Sequence, residues 1–407
     1  MRFELLFPIL FFLLSLILAV PRSYDPYLYE EDLGEGRLIL RVEGVGEVSD
    51  KGFSARVKVL GGDFPEIYEK TAFLRVYGAE DVPSKYLEVY GKVRVKEGRI
   101  FISATYKDVA FANILPSLRD RLAKRLEDKI KDQEVRALAL AYFLGEDQGV
   151  VPMRVQSAFL TTGLVHLLVV SGGHLSLLAL MLRFLAPYQL GLWLALLGVS
   201  LYALLLVPSE PPVLRAYLMI LASILLLLYG ERPNLLGILC VSGGVILLLF
   251  PEYVSSYSFW LSFCATLYIL LSLREPPRKD VVFLSFWVSF FAFLGTMPIL
   301  SLFSFSAPFS ILLTPLLSVP FLAFTFYGFL DMLTFFSLPA FPLEVMGRFI
   351  NSSVMFFSDF APMLFSNFSL WEAVLSLSLG RFCYISSKDG KSCWWVRYSS
   401  HSCFSPM

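Results

Sequence analysis

From Phe159 to Phe365 the chain passes through a succession of apolar stretches long enough to cross a bilayer. They are Phe159–Leu182, Leu190–Val207, Val213–Tyr229, Leu235–Phe250, Tyr257–Leu273, Val281–Leu302, Phe309–Phe336 and Leu343–Phe365, about eight in all, the last two open to subdivision. Prolines punctuate them at Pro187, Pro208, Pro211, Pro212, Pro233, Pro251, Pro276, Pro277 and Pro308. Apolar helices of this length fold in lipid, where the backbone must satisfy its own hydrogen bonds. Composition agrees: 56% of the 407 residues are hydrophobic, 15% aromatic and 17% charged. Lys and Arg balance Asp and Glu at 34 each, so no global positive charge advertises a polyanionic partner.

One further apolar run, Leu5–Val20, follows Met1 and Arg2. The charged start is thin and no A-x-A site follows, which favours an uncleaved transmembrane anchor (1–20) over a signal peptide. Between 21 and 108 the pattern changes to period-two alternation with glycine-bearing turns. Strands are predicted over Arg37–Val45, Phe53–Leu60, Thr71–Tyr77, Leu87–Lys96 and Arg99–Tyr106. Five short strands in under a hundred residues suggest a small closed barrel of the OB type. Arg56, Lys58, Arg75, Lys92, Arg94 and Lys96 could form a nucleic-acid-binding face on it, or an ordinary solvated outer surface. The Gly44-x-Gly46 element is not a dinucleotide loop, because a strand follows it. Residues 109–150 read as a connector that is helical from Asn113 to Leu144. Leu118, Leu122, Leu126 and Ile130 repeat every fourth residue beside a charged face, as in a helix lying on a membrane or on the barrel.

Short-loop charge gives a consistent orientation. Arg2 places the N-terminus inside and the barrel outside. Arg183, Arg232 and the Arg274, Arg278, Lys279 group then fall inside, and Glu210 and Glu252 outside.

The stretch Gly163–Leu180 carries two of the chain's three histidines, His166 and His174, with Ser171, Gly172 and Gly173 between them. On a straight helix, eight residues separate the histidines by about 80° and about 12 Å, which argues against a shared metal. Two readings stand. The cluster lines a translocation path at a broken helix, or each histidine bonds a neighbouring helix while the glycines allow close packing. A serine hydrolase is disfavoured, since no distant histidine supplies a base. Arg215, near the start of its span, either snorkels to the interface or faces a water-filled path. Glu146 and Asp147 could pair with Arg215 or Arg154, or be plain loop charges. Cys240 and Cys264 read as packing residues, and Cys383, Cys393 and Cys403 match no zinc spacing.

The run from Gly163 to His174 resembles the H-L-L-x-x-S-G-x-H segment of the ComEC family of competence proteins. Leu144-Gly145-Glu146-Asp147, Pro212-Val213-Leu214-Arg215-Ala216, Phe259–Ala265 and Gly295-Thr296-Met297-Pro298 resemble further segments of that family, in the same order. The resemblance covers roughly residues 30 to 370. It departs at Gly173, where the family has an apolar residue.

The resemblance implies a multi-pass protein of the cytoplasmic membrane that imports single-stranded DNA during natural transformation. It places an OB-like domain (21–108) outside, a competence transmembrane domain at 151–375 and a tail of unassigned structure at 376–407. The path would involve His166, Ser171, Gly172, His174 and Arg215, with Glu146, Asp147 and Arg154 in support. Many family members continue into a metallo-β-lactamase-like nuclease domain. No metal motif is legible here, so the expectation is a non-enzymatic channel without cofactor, with the nuclease supplied by another polypeptide or lost by truncation. No P-loop is present, so an ATP-driven cytoplasmic motor would supply the force. A DNA receptor and self-association into a homo-oligomer complete the expected partners. The rival reading is a secondary transporter whose small solute binds at the broken helix.

Overall fold

The computed structural model describes residues 3–22, 31–49, 52–68, 70–78, 86–96, 99–111, 117–145, 151–274, 276–277, 280–302 and 307–360. Glu146 and Asp147, the residues beyond 360 and the three tail cysteines lie outside them. The chain forms a β-barrel followed by a body of apolar helices, with an N-terminal helix, α1 (Phe3–Arg22), packed into that body.

The barrel strands are β1 (Glu31–Ser49), β2 (Gly52–Gly62), β3 (Thr71–Tyr77), β4 (Tyr86–Lys96) and β5 (Arg99–Thr105). The strand order is β1-β2-β3-β5-β4, and β1 pairs again with β4 to close the cylinder. All neighbours are antiparallel except β3 and β5, which run parallel from Ala72↔Ile100 to Tyr77↔Thr105. This is the topology of an OB-type barrel. A short β6 (Val109–Phe111) adds to β4. Strand β1 extends beyond the predicted Arg37–Val45 because it serves two partners, with β4 along Glu31–Arg41 and with β2 along Leu38–Ser49. The alternation seals the interior: Leu38, Leu40, Val57, Val59, Leu74, Val76, Leu87, Val89, Val93 and Ile102 are all almost fully buried.

The connector is two helices rather than the single one expected over Asn113–Leu144. They are α2 (Leu118–Lys129) and α3 (Gln133–Leu144), with extended backbone at Ile130 and Asp132 between them. Asp132 caps α3 by accepting from the N–H groups of Glu134 and Val135, so a strong start signal ends one helix and opens the next. Helix α2 is fastened at both ends. At its start the Tyr86 hydroxyl of β4 donates to Asp120 Oδ2 at 2.5 Å, and that carboxylate also accepts from Ser117 N and Oγ. Burial, aided by Asp120, pushes the Tyr86 phenol upward and keeps it a donor. At the other end the Lys129 ammonium is bonded to Asp331, whose side chain is fully buried. Helix α3, buried from Ala137 to Leu144, penetrates the helical body rather than lying on a surface.

The body comprises α4 (Met153–Thr161), α5 (Gly172–Phe184), α6 (Tyr188–Leu201), α7 (Pro211–Leu228), α8 (Leu235–Leu249), α9 (Tyr257–Ser272), α10 (Val281–Ser301), α11 (Ser310–Leu333) and α12 (Phe341–Ser358). Among the described residues five segments are long and apolar enough to cross a membrane: Val165–Phe184, Tyr188–Leu206, Pro211–Leu228, Val281–Ser301 and Ser310–Leu333. Helices α8 and α9 and the Leu5–Pro21 part of α1 are shorter apolar helices. The protein is thus a multi-pass membrane protein. Helix α12 starts with a charged turn, where Arg348 donates to both Glu344 and Asp132.

Two packed groups make up the body. The larger centres on α3, α5, α11 and α12, and the smaller joins α1, α8 and α9. Phe12 of α1 stacks on Phe263 of α9 with ring centroids 4.7 Å apart. Helix α7 belongs to both groups: Val213, Ala216 and Ile224 face the larger, and Leu214, Leu218 and Met219 the smaller.

Candidate functional site: a cation and a helix start at one cavity

The segment read as one span from Phe159 is broken. Helix α4 ends at Thr161, Gly163 turns the chain with φ +74°, and a single 3-10 turn spans Val165–Leu167 before α5 begins at Gly172. A side chain at Gly163 would require a strained backbone and would also stand 2.7 Å from Ala307 Cβ. The break thus precedes the Gly172-Gly173 pair, which forms the first turn of the new helix.

Ser171 and His174 fix that start. Ser171 N–H donates to His174 Nδ1 at 3.0 Å, so Nδ1 is an acceptor and the ring proton sits on Nε2. Ser171 Oγ lies 3.1 Å from the same Nδ1. The His174 ring is buried edge-on against Tyr142, with centroids 4.1 Å apart, and among the described residues its Nε2 has no hydrogen-bond partner. His166 is exposed, with Nδ1 3.1 Å from the Gly163 carbonyl. The two histidines are therefore in different surroundings.

The opposite side of the α5 start meets α7. A methyl group placed on Gly172 would stand 3.3 Å from Ala216 Cβ and 3.6 Å from Arg215 Nη2. Arg215 is 8% exposed, so the side chain is turned inward and does not snorkel. Its Nε donates to Ser262 Oγ at 2.8 Å, and its Nη1 is bonded to Thr266 Oγ1 and lies 3.7 Å from Met219 sulfur. Among the described residues no carboxylate pairs with it. Buried charges are normally paired, so a guanidinium whose partners among the described residues are two hydroxyls and a thioether is an electrostatic imbalance. It borders a cavity of about 600 Å³ at the seam between the two helix groups. Gly172, Gly173, Ser176, Ser223 and Thr266 contribute to the wall, and Arg183 lies at the end of α5 farther along it. The exposed N–H groups of an α-helix start add partial positive charge.

Of the sequence-derived site residues, Gly172 and Arg215 meet at this cavity, with Ser171 and His174 directly behind them. Arg154 is exposed on the first turn of α4. The barrel cations Arg56, Lys58, Arg75, Lys92 and Arg94 project from the outer wall, where Asp32 accepts from Lys92 at 2.7 Å and lies 3.7 Å from Arg94. Sequence reasoning missed Ser262 and Thr266 as the partners of Arg215. Their four-residue spacing, one helical face, is the signal that could have found them. Among the described residues no group of three or more His, Cys, Asp or Glu is placed to hold a metal.

A curated protein from Aquifex aeolicus (strain VF5), named only as an uncharacterized protein, is 39% identical over 372 residues, covering 91% of this chain and 89% of its own length. No solved structure matches. The family model described as Competence protein matches residues 143–387, which include the broken span, the Arg215 segment and its Ser262 partner. The chain therefore belongs to the ComEC-type competence protein family.

Proposed function

We propose that the protein is a channel through which single-stranded DNA crosses the cytoplasmic membrane during natural transformation. The observation that carries this reading is Arg215, a buried cation without a carboxylate partner among the described residues, beside an open helix start at a membrane cavity. A phosphodiester moving through an apolar body needs compensating positive charge at intervals, and Arg215, the α5 N-terminus and Arg183 supply it. In this reading Gly172 keeps α5 against α7, Ser171 and His174 hold the helix start open, and His166 lines the approach. Arg154, Glu146 and Asp147 set the charge at the mouth. The loop charges orient the N-terminus to the cytoplasm and the barrel to the outside, where it receives the strand. A separate nuclease, a DNA receptor and a cytoplasmic ATP-driven motor would act with it, and the protein itself would serve as a non-enzymatic pore.

A cavity of this size also suits a small solute, which keeps secondary transport as the rival. Uptake of labelled DNA in a transformable host lacking its own channel separates the two. Arg215→Ala at equal membrane abundance is expected to lower uptake by about 10–100-fold, in line with loss of a charge-assisted contact, with partial recovery in Arg215→Lys. Undiminished uptake by Arg215→Ala would remove Arg215 from the path.

A further inference from the structure

The outer wall of the barrel is electrostatically lopsided. Outward positions of β2 carry Arg56 and Lys58, those of β3 Arg75, those of β5 Arg99, and β4 adds Lys92, Arg94 and Lys96. Across these four adjacent strands, taking β4 from Tyr90 onward, no outward position among the described residues carries a carboxylate. The acids border this face along one edge, at Asp32 and Glu35 of β1, where Asp32 bonds Lys92 and lies 3.7 Å from Arg94, and at Glu88 near the start of β4. A chain with no net charge has therefore gathered seven cations on one face.

Aromatic rings lie in the middle of that face. Phe73 and Phe101 are directly opposed across the parallel β3–β5 seam, with ring centroids 5.7 Å apart and planes 25° from parallel. They are 43% and 40% exposed. Register extends the row: Arg56 opposes Phe73, and Arg94 opposes Phe101. The order Arg56–Phe73–Phe101–Arg94 crosses four strands, about 14 Å at the usual strand spacing. One step along the strands, the Arg75 guanidinium lies over the Tyr77 ring at 5.8 Å. Single exposed aromatics are commonplace, whereas a stacked pair bracketed by arginines is a recognition surface.

We propose that the β2–β3–β5–β4 face binds single-stranded nucleic acid, with bases stacking on Phe73 and Phe101 and phosphates held by Arg56, Arg75 and Arg94. This rests on the DNA-channel reading and gives it a receiving surface with a stated selectivity. Stacking needs unpaired bases and tolerates any sequence, so the face takes single strands of mixed sequence and rejects duplex. An anionic bilayer is the other polyanion such a face could meet. The rings lie against each other on a strand surface instead of projecting from a loop tip, which gives little depth of insertion and favours stacking.

The test uses the full-length protein in zwitterionic nanodiscs and labelled oligothymidine, an abasic strand of equal length and a duplex, each over a salt series. The wild type should bind oligothymidine more tightly than either alternative. Phe73→Ala with Phe101→Ala should weaken oligothymidine binding roughly 10–100-fold and shrink its advantage over the abasic strand. Phe73→Trp with Phe101→Trp should retain it, and Arg56→Gln with Arg94→Gln should flatten the salt dependence by about one phosphate contact each. Equal thermal melting of the variants guards against misfolding. The proposal is overturned if the double alanine variant binds oligothymidine like wild type, or if the abasic strand binds equally well. It is also overturned if the alanines abolish binding to anionic vesicles while sparing oligothymidine. Phenylalanine-dependent binding together with normal DNA uptake by Arg215→Ala would fault the assigned path alone, and DNA import with phenylalanine-independent binding would fault the stacking face alone.

Discussion

The barrel and the helical body dispose of polarity in opposite ways. In the barrel every buried side chain among the described residues is apolar, and its charges stand on the outer wall. In the helical regions the buried polar residues include Asp120, His174, Arg215, Asp331 and Asn351, while Leu, Phe and Val are prominent on the exposed surface of the apolar helices. The solvent explains the inversion. Water solvates the charges of the barrel at little cost, whereas lipid leaves the interior as the place where a helix can keep a polar group. Functional chemistry is accordingly sought outside one region and inside the other.

The largest test of this contrast is the buried pair of Lys129 and Asp331. Asp331→Ala leaves a nearly buried ammonium without its partner and is expected to cost about 3–5 kcal/mol, measured as a fall in thermal or denaturant stability in nanodiscs. Replacing both by apolar residues, Lys129→Met with Asp331→Leu, should recover most of that loss. Next comes a pair of neighbours on opposite sides of the barrel wall. Leu74→Ala, at 1% exposure, should cost about 2–4 kcal/mol, whereas Phe73→Ala should cost under about 1 kcal/mol in stability. Equal losses at the two positions would erase the inside–outside distinction. The smallest effect concerns Asp32. Its bond to Lys92 lowers its carboxyl below the usual value, with Gly34 N–H and Arg94 helping. A depressed carboxylate adds stability that is present above about pH 4 and fades as pH falls through the folded-state value. Asp32→Asn should therefore slightly flatten the acid limb of the stability–pH curve, and pH-dependent melting would show it.

Local pattern made the barrel legible. The alternation of Val57, Val59, Leu74 and Val76 with charged neighbours fixed which face each strand buries. The parallel β3–β5 seam was not legible, because it pairs residues nearly thirty apart, and so the Phe73–Phe101 neighbourhood was invisible although the arginines around it were noticed. The same limit hid the partner of Lys129, 202 residues away. At the candidate site the polar stretch Gly163–His174 stood out against its apolar surroundings, but the position of the break did not. The glycine pair suggested rupture at 172–173, while Gly163 and the Ser171–His174 bonds place it earlier. Arg215 was conspicuous as a lone charge, and its hydroxyl partners were camouflaged, since serine and threonine in apolar helices ordinarily bond their own backbone, as Thr266 also does.

The two fastenings of α2 govern how this protein could be re-engineered. Tyr86 plugs the barrel into one end of the helix, and Lys129 plugs the other end into the last turn of α11. A graft that exchanges barrels between relatives at the composition boundary near residue 108 would keep the recipient's Asp120 but bring in a foreign socket for it. The transplantable cassette is barrel plus α2, and the recipient must offer a carboxylate where Asp331 stands.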